Sequence, residues 1–436
     1  MGLKIIILVA VILCTAVTPF AQNSSKSKMI LPYRDEVDSI YAREIIDFDS
    51  DYTAFSKFQQ RDKYKKALKY VLEDELIVAK KILLNLIKIN EYDFGSRSAL
   101  KIILDYDKGI LSKKYLQYFF TALNNKFNHD YVQSILDVEK AISLKPRYGE
   151  SYYLAAYVYN ALGEFEKSIA NLKRYIKLGD KNPKVFLALS SNFFAKGDYE
   201  QAIEEIQKYL QFRDADPRAW CNLGILHSLI GKPDKAIIYL QKALVIDSNF
   251  IDAYHALGNS YFDLEKYPES LNNYKKALSF TPYDLILNIN SAGAYYMLNQ
   301  PKQALKLLQG VMKIDPDHPI ANYNLGNVHI KLNNFQSAAE NFEKTISINP
   351  YDYSAYINLG YAYRNLDNNL AALNAYKNAI EVNPGNIASY EGIAIIYHEL
   401  GNSKEALKYF LIAKILYEEV GAKAKVIELE KYINTY

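Results

Sequence analysis

Six asparagines stand at regular intervals along the sequence. Asn324 and Asn358 are 34 residues apart, and Asn222 and Asn290 fall on multiples of the same step. An asparagine amide both donates and accepts hydrogen bonds, so a row of amides can bind the backbone of an extended peptide without demanding a particular side-chain sequence. We therefore expect a contact row with flanking aromatic and cationic side chains, made of Asn222, Asn259, Asn290, Asn324, Asn327 and Asn358 together with Tyr323, Tyr361, Arg364 and Lys331.

A plainer interpretation of the same asparagines stays open. Amides that recur in a repeated sequence also serve solubility or local hydrogen bonding, and neither role requires a ligand. The sequence does not decide between ligand contact and local bonding.

Patterns that would support bond-making chemistry are missing from the sequence. It contains no Gly-rich phosphate loop, no His-Glu-x-x-His helix, no nucleophile elbow and no cysteine cluster. His227 and His329 occupy a position where other repeats have tyrosine, which predicts packing, and His255 and His398 lie too far apart in sequence to share a metal. We therefore predict a protein that is not an enzyme and has no cofactor and no metal site.

Charge excludes a general electrostatic partner. The 52 basic and 49 acidic residues leave a formal net charge of only +3, and half of the 436 residues are apolar. Such a balance does not favour a nucleic-acid surface or a polybasic membrane patch. We expect no nucleic-acid ligand.

The elements that must position these side chains follow a period of 34 residues. Leu-Gly pairs recur at 223–224, 257–258, 325–326 and 359–360, and the register holds without insertion from 115 to 420. This stretch makes nine repeats, which start at residues 115, 149, 183, 217, 251, 285, 319, 353 and 387; positions within a repeat are called slots 1 to 34. A fixed period of this length is typical of a stacked repeat architecture.

Each slot has a structural reason that predicts two helices per repeat. Slots 4, 7, 8 and 11 lie on one stripe of a helix, and Gly or Ala at slots 8 and 20 lets two helices approach closely. Proline at slot 32 ends the second helix. One such hairpin cannot bury its apolar face alone, so neighbouring repeats must stack.

The pattern resembles the tetratricopeptide repeat, which the eighth repeat shows most completely, with Tyr356, Leu359, Gly360, Tyr363, Ala372, Tyr376, Ala379 and Pro384. The resemblance implies an all-α chain folded as an α-solenoid, a right-handed superhelix of helix-turn-helix repeats. It also implies a concave groove lined by slots 2, 5, 6, 9, 12 and 13, where a peptide or protein partner binds. The asparagines occupy slots 6 and 9, so we expect them to point away from the hairpin packing.

The remaining segments complete the expected organisation. Residues 22–59 are expected to be a flexible tail and irregular helices, and 60–114 a degenerate repeat followed by an extra helix. We expect this extra helix, at 94–114, to form a seam between two subdomains, with the nine repeats of 115–420 after it. A capping helix is expected over 421–436, with Ile427 on its apolar edge.

The N-terminus is typical of an export signal. An apolar run from Ile5 to Val17 is too short to span a bilayer as a helix, which predicts a signal peptide over 1–21 with cleavage after Ala21. Cleavage would remove Cys14 and leave Cys221 alone, so no internal disulfide is expected. The alternative is an uncleaved N-terminal membrane anchor.

The sequence as a whole predicts an exported interaction scaffold of the periplasm or cell envelope that binds a protein or peptide. The alternative is an accessory subunit of an envelope glycan assembly or export machine. The identity of the partner and the oligomeric state stay open.

Overall fold

The computed structural model describes residues 54–89, 94–179 and 182–436. The expected signal peptide and most of the expected N-terminal tail lie outside the described residues. Within them the chain forms 22 α-helices and no strand, so the all-α prediction is confirmed. None of these helices combines the length and the apolar composition that crossing a membrane requires.

Contacts divide the described chain into two compact units, 54–253 and 254–436, and the division falls inside one helix. The helices up to this division are α1 Ala54–Leu72, α2 Leu76–Ile89, α3 Phe94–Asp107, α4 Lys113–Phe127, α5 Tyr131–Leu144, α6 Gly149–Ala161, α7 Phe165–Lys177, α8 Lys184–Ala195, α9 Tyr199–Leu210, α10 Pro217–Leu229, α11 Pro233–Ile246 and α12 Ile251–Asp263. The helices after it are α13 Tyr267–Leu278, α14 Leu285–Met297, α15 Pro301–Ile314, α16 Pro319–Lys331, α17 Phe335–Ile348, α18 Tyr353–Asn365, α19 Asn369–Val382, α20 Ile387–Glu399, α21 Ser403–Glu419 and α22 Lys423–Ile433.

Helix ends follow the repeat. Helices α15, α17 and α19 end two residues before Pro316, Pro350 and Pro384, because proline restricts the residue before it and offers no backbone N–H. In repeats 4, 6, 7, 8 and 9 the first helix begins after a capping side chain at slot 34 of the preceding repeat. Asp284 accepts from the backbone N of Leu287 at 2.9 Å, and Asp352 accepts from that of Ala355 at 3.0 Å.

The turn inside each repeat marks the register independently. Slot 15 has a positive φ in all nine repeats, between +56° and +81°, at His129, Gly163, Gly197, Gly231, Glu265, Asn299, Asn333, Asp367 and Gly401. This left-handed conformation ends the first helix and is costly for residues other than glycine. Its recurrence shows that the 34-residue register holds from repeat 1 to repeat 9.

Close packing of the two helices in a repeat depends on glycine at slot 8. A Cβ added to Gly224 would lie 2.6 Å from Cγ of Leu240, and one added to Gly360 would lie 2.9 Å from the ring of Tyr376. Real Cβ atoms do not come so close to their neighbours, so the large side chain at slot 24 requires a small residue at slot 8. The predicted close approach of the two helices is confirmed.

The apolar core of the first unit is continuous from its first helices into the repeats. Ala67 and Leu83 belong to the same buried cluster as Ile103 of α3 and Leu116 and Val138 of repeat 1. The seam expected at 94–114 is therefore absent, because α3 fills the space between the degenerate hairpin and the regular repeats.

The last helix packs differently from the expectation. Ile427 is 59% exposed, whereas Leu429 is buried and Val426 and Ile433 are partly buried against α21. Gly421, at a φ of +71°, turns the chain so that α22 begins at Lys423. Residues three and seven positions after Val426 then share its face, and this excludes Ile427.

Candidate partner-binding face

The six candidate asparagines lie on the first helices of their repeats, and all of them are buried. Their exposed fractions run from 0% at Asn324 and Asn327 to 5% at Asn259. The sequence places these side chains away from the packing of their own hairpin, but they are not exposed, because they lie between the first helices of neighbouring repeats. Two pairs of these amides are hydrogen-bonded there, Asn290 with Asn259 and Asn358 with Asn327, and contact with a partner stays a prediction.

The asparagines of repeats 7 and 8 form a hydrogen-bonded link. Nδ2 of Asn358 donates to Oδ1 of Asn327 at 2.9 Å and to Oη of Tyr323 at 3.2 Å. In slot terms, an amide at slot 6 reaches back to slots 9 and 5 of the preceding repeat. The link fixes how one repeat is placed on the next, because both partners lie on the neighbouring helix.

The same link recurs between repeats 5 and 6. Nδ2 of Asn290 lies 3.0 Å from Nε2 of His255 and donates to Oδ1 of Asn259 at 3.3 Å. Oη of Tyr274 also donates to Asn259, at 2.7 Å. Full burial of His255 lowers its pKa to about 4, since the charged imidazolium would lose its hydration there. Its neutral ring is therefore the form present near neutral pH.

Asn324 breaks this pattern. The two residues at its partner slots in repeat 6 are Ile289 and Gly293, neither of which carries a polar side chain. Both amide atoms of Asn324 are buried without a hydrogen-bond partner in the described residues. A buried amide without partners costs free energy, so this asparagine works against stability.

The two cationic candidates link neighbouring repeats by other contacts. Nζ of Lys331 donates to the backbone oxygen of Tyr296 at 3.0 Å and lies 4.1 Å from the centre of that ring. Burial lowers the pKa of Lys331, because its ammonium group loses hydration. Arg364 forms a two-pronged ion pair with Glu399 of the next repeat, in which Nε donates to Oε2 at 3.1 Å.

Two aromatic candidates keep part of their surface accessible. Tyr361 and Tyr323 are both partly exposed, and each packs edge-on against a phenylalanine of its own or the preceding repeat. The guanidinium side chain of Arg364 is 18% exposed. The accessible part of this face therefore carries Tyr323, Tyr361, Lys331 and Arg364, while the asparagines lie beneath it. We call these four residues the candidate face.

The signal for the asparagine links was present in the sequence but was missed. The bonded pairs Asn259–Asn290 and Asn327–Asn358 share a separation of 31 residues, which joins slot 9 of one repeat to slot 6 of the next. Two amides that recur at this separation indicate mutual hydrogen bonding between neighbouring repeats.

Histidines and acidic groups were also expected not to share a metal. Within the described residues, no three His, Cys, Asp or Glu side chains are grouped so that they could hold a metal. His227 is buried and its ring stacks on Tyr239 at 5.0 Å, which confirms the packing role expected of it.

Tetratricopeptide-repeat families match the sequence over residues 149–181, 217–250, 261–323, 299–359, 353–386 and 375–408. No functionally curated protein is significantly similar in sequence.

Several solved structures are similar to the chain. A tetratricopeptide repeat protein from Parabacteroides merdae is 16% identical, with a TM-score of 0.49 over 58% of this chain and 99% of that one. YrrB, described as a protein of this kind with an unusual peptide-binding site, is 25% identical, with a TM-score of 0.38 over 43% of this chain and 96% of its own. Yeast Tom70 is 14% identical, with a TM-score of 0.40 over 87% of this chain and 96% of its own.

Proposed function

Because the chain carries tetratricopeptide repeats, we propose that it is a non-enzymatic interaction scaffold that binds a peptide or protein partner on the first helices of its repeats. The observation that carries this proposal is the candidate face itself. Two partly exposed tyrosines and two cations lie above the buried amide pair Asn327–Asn358, which links repeats 7 and 8.

The composition of this face suits recognition of a protein. Tyrosine and arginine offer large contact area at low entropic cost, and both are enriched where binding energy concentrates in interfaces. Arg364 and Lys331 are held in place by Glu399 and by the backbone of Tyr296 before any partner arrives. A prearranged face loses less conformational freedom on binding than a flexible one.

A matched pair of variants tests this proposal. Tyr323→Ala combined with Tyr361→Ala removes the accessible aromatic rings of the candidate face. Tyr283→Ala combined with Tyr351→Ala removes two rings that are 82% and 80% exposed in the turns between repeats. We expect affinity capture from an extract of the producing cells to lose a defined protein with the first pair only.

Unchanged capture would contradict the proposed binding face. If the variant of the candidate face captures the same protein at unchanged yield, and circular dichroism shows that both variants keep their helical content, the partner does not bind on this face. Equal loss with both pairs would point to a non-specific aromatic contact instead.

We also propose that the protein is exported, on the strength of the apolar run from Ile5 to Val17 and the small residue at Ala21. The intact mass of the protein purified from its producing cells tests this directly. Loss of residues 1–21 is expected, and a chain that still begins at Met1 would contradict cleavage.

A further inference from the structure

The first unit contains a cavity of about 780 Å³ that none of the candidate-face residues lines. It lies beside α3 at the beginning of three successive repeats, whose slot-2 residues are Glu150, Lys184 and Arg218. The chain between α9 and α10, with Phe212 and Arg213, forms another wall. We propose that this cavity binds a short acidic peptide segment that includes an apolar side chain.

Charge is the first argument. Among the described residues, five cations line the cavity against three acidic groups, Glu150, Asp214 and Asp216, which gives a net charge of +2; the cations are Arg97, Lys101, Lys184, Arg213 and Arg218. Arginine forks are suited to carboxylates, because their planar N–H groups match the two oxygens.

Two of the three acidic groups are already engaged by the protein. Glu150 is 5% exposed, accepts from Ser98 at 2.9 Å and pairs with Nζ of Lys101 at 2.9 Å. Asp216 accepts from Oη of Tyr209 at 2.9 Å and pairs with Nε of Arg218 at 3.2 Å. These carboxylates hold two cations in position rather than offering acceptors to a ligand.

Asn182 adds a side-chain amide to the lining of the cavity. Oδ1 of Asn182 accepts from the backbone N of Lys184 at 3.1 Å, which fixes the orientation of the amide. Its Nδ2 is buried and has no hydrogen-bond partner in the described residues. A lining rich in cationic donors favours a ligand group that only accepts hydrogen bonds, and ionised carboxylates are such groups.

An apolar platform stands within the same lining. Phe212 is 61% exposed although it stacks on Phe186 with ring centres 6.0 Å apart. Exposed phenylalanine beside arginine suits a chain that carries both carboxylates and an apolar side chain. A cavity of this size holds only a short segment.

An acidic peptide fits this lining better than an acidic polysaccharide does. Each sugar unit brings several hydroxyl donors that need acceptors, whereas each peptide residue brings one backbone N–H donor, and Glu150 and Asp216 are occupied by their own partners. A peptide of glutamate with one phenylalanine therefore asks for fewer acceptors, and it also offers an apolar side chain to Phe212. This inference is independent of the candidate face, so its failure would leave the proposed function untouched.

Fluorescence anisotropy with the full chain tests the proposal. The probe is a labelled short peptide of glutamates around one phenylalanine, and the comparison peptide has glutamine in place of every glutamate. Arg97→Glu combined with Arg213→Glu changes two exposed residues of the cavity lining. Lys302→Glu combined with Lys306→Glu makes the same change of charge at exposed positions of α15.

We expect the acidic peptide to bind the unaltered chain, the glutamine peptide not to bind, and the cavity variant to lose affinity by at least about tenfold. The α15 variant should bind as the unaltered chain does. Unchanged binding by the cavity variant, equal loss in both variants, or equal binding of the glutamine peptide would each overturn the proposal. Stronger competition by polygalacturonate than by unlabelled acidic peptide would also overturn it, in favour of an acidic polysaccharide.

Discussion

Replacement of Asn324 by leucine should stabilise the protein, although it removes a residue of the repeated asparagine row. The side chain of Asn324 is 0% exposed, and neither of its amide atoms has a hydrogen-bond partner in the described residues. Leucine has the same number of side-chain heavy atoms and the same branching, so it keeps the shape of the side chain while it removes both polar atoms. The facing residues Ile289 and Gly293 present no polar side chain to the substituted position.

The size of the effect follows from the cost of an unpaired buried amide. That cost is about 1–3 kcal/mol in protein mutational data, and removing it should raise the free energy of unfolding by a similar amount. Asn358→Leu is the matched control, because it occupies the same slot and is 3% exposed but donates to Asn327 and Tyr323. We expect the control to lose about 1–3 kcal/mol.

Urea unfolding followed by far-ultraviolet circular dichroism measures both variants. Arrays of repeats can unfold in stages, so amide hydrogen exchange in α16 and α18 should accompany it to locate the change. Opposite shifts for Asn324→Leu and Asn358→Leu are expected. If Asn324→Leu destabilises α16 as much as Asn358→Leu destabilises α18, the amide of Asn324 makes hydrogen bonds in solution and the reasoning is refuted.

Three further predictions concern the fold. The pKa of His255 is about 4 in the folded chain and 6.5 ordinarily, so the unfolded chain binds a proton at a higher pH than the folded chain does. The free energy of unfolding should therefore fall by up to about 3 kcal/mol from pH 6.5 to pH 4. His255→Gln should reduce this loss in urea titrations at several pH values. Gly231→Ala should lower the melting temperature, because Gly231 has a φ of +72° that alanine adopts only with strain. Gly310→Ala should raise it, because alanine favours helix and no heavy atom lies within 4 Å of the added Cβ in α15. Two shifts of the same sign would contradict the account. Leu429→Ala should lower the free energy of unfolding, measured in urea, by about 2–4 kcal/mol, and Ile427→Ala should lower it by less than about 0.5 kcal/mol. The reverse order would show that α22 packs by its other face.

The fold was predictable because its signals are local and repeated. The Leu-Gly pairs fix the close approach of two helices at Gly224 and Gly360, and the prolines at slot 32 mark where second helices end. Each of these effects acts within one repeat of 34 residues, so periodicity alone reveals it. The side of α22 that packs against α21 was not predictable in this way, since the turn at Gly421 shifts the helix out of the repeat register.

The candidate site was only partly predictable, because burial between repeats depends on pairs of residues rather than on slots. A helical wheel places Asn358 away from the packing of its own hairpin, but the wheel does not include the neighbouring repeat. The bonds to Asn327 and Tyr323 cross that boundary and bury the amide. The cavity in the first unit was missed for the same reason, since its lining brings Arg97 of α3 near Asn182 of repeat 2 and Arg213 of repeat 3.

Site-specific photo-crosslinking tests the central claim most directly. A photoreactive phenylalanine analogue placed at Tyr361, on the candidate face, is compared with the same analogue at Tyr351, which is 80% exposed in a turn of the neighbouring repeat. Irradiation in the producing cells should attach one defined protein at position 361 and not at position 351. Attachment at position 351 alone, or no protein at position 361 while the chain remains folded, would contradict binding of a partner on the first helices of the repeats.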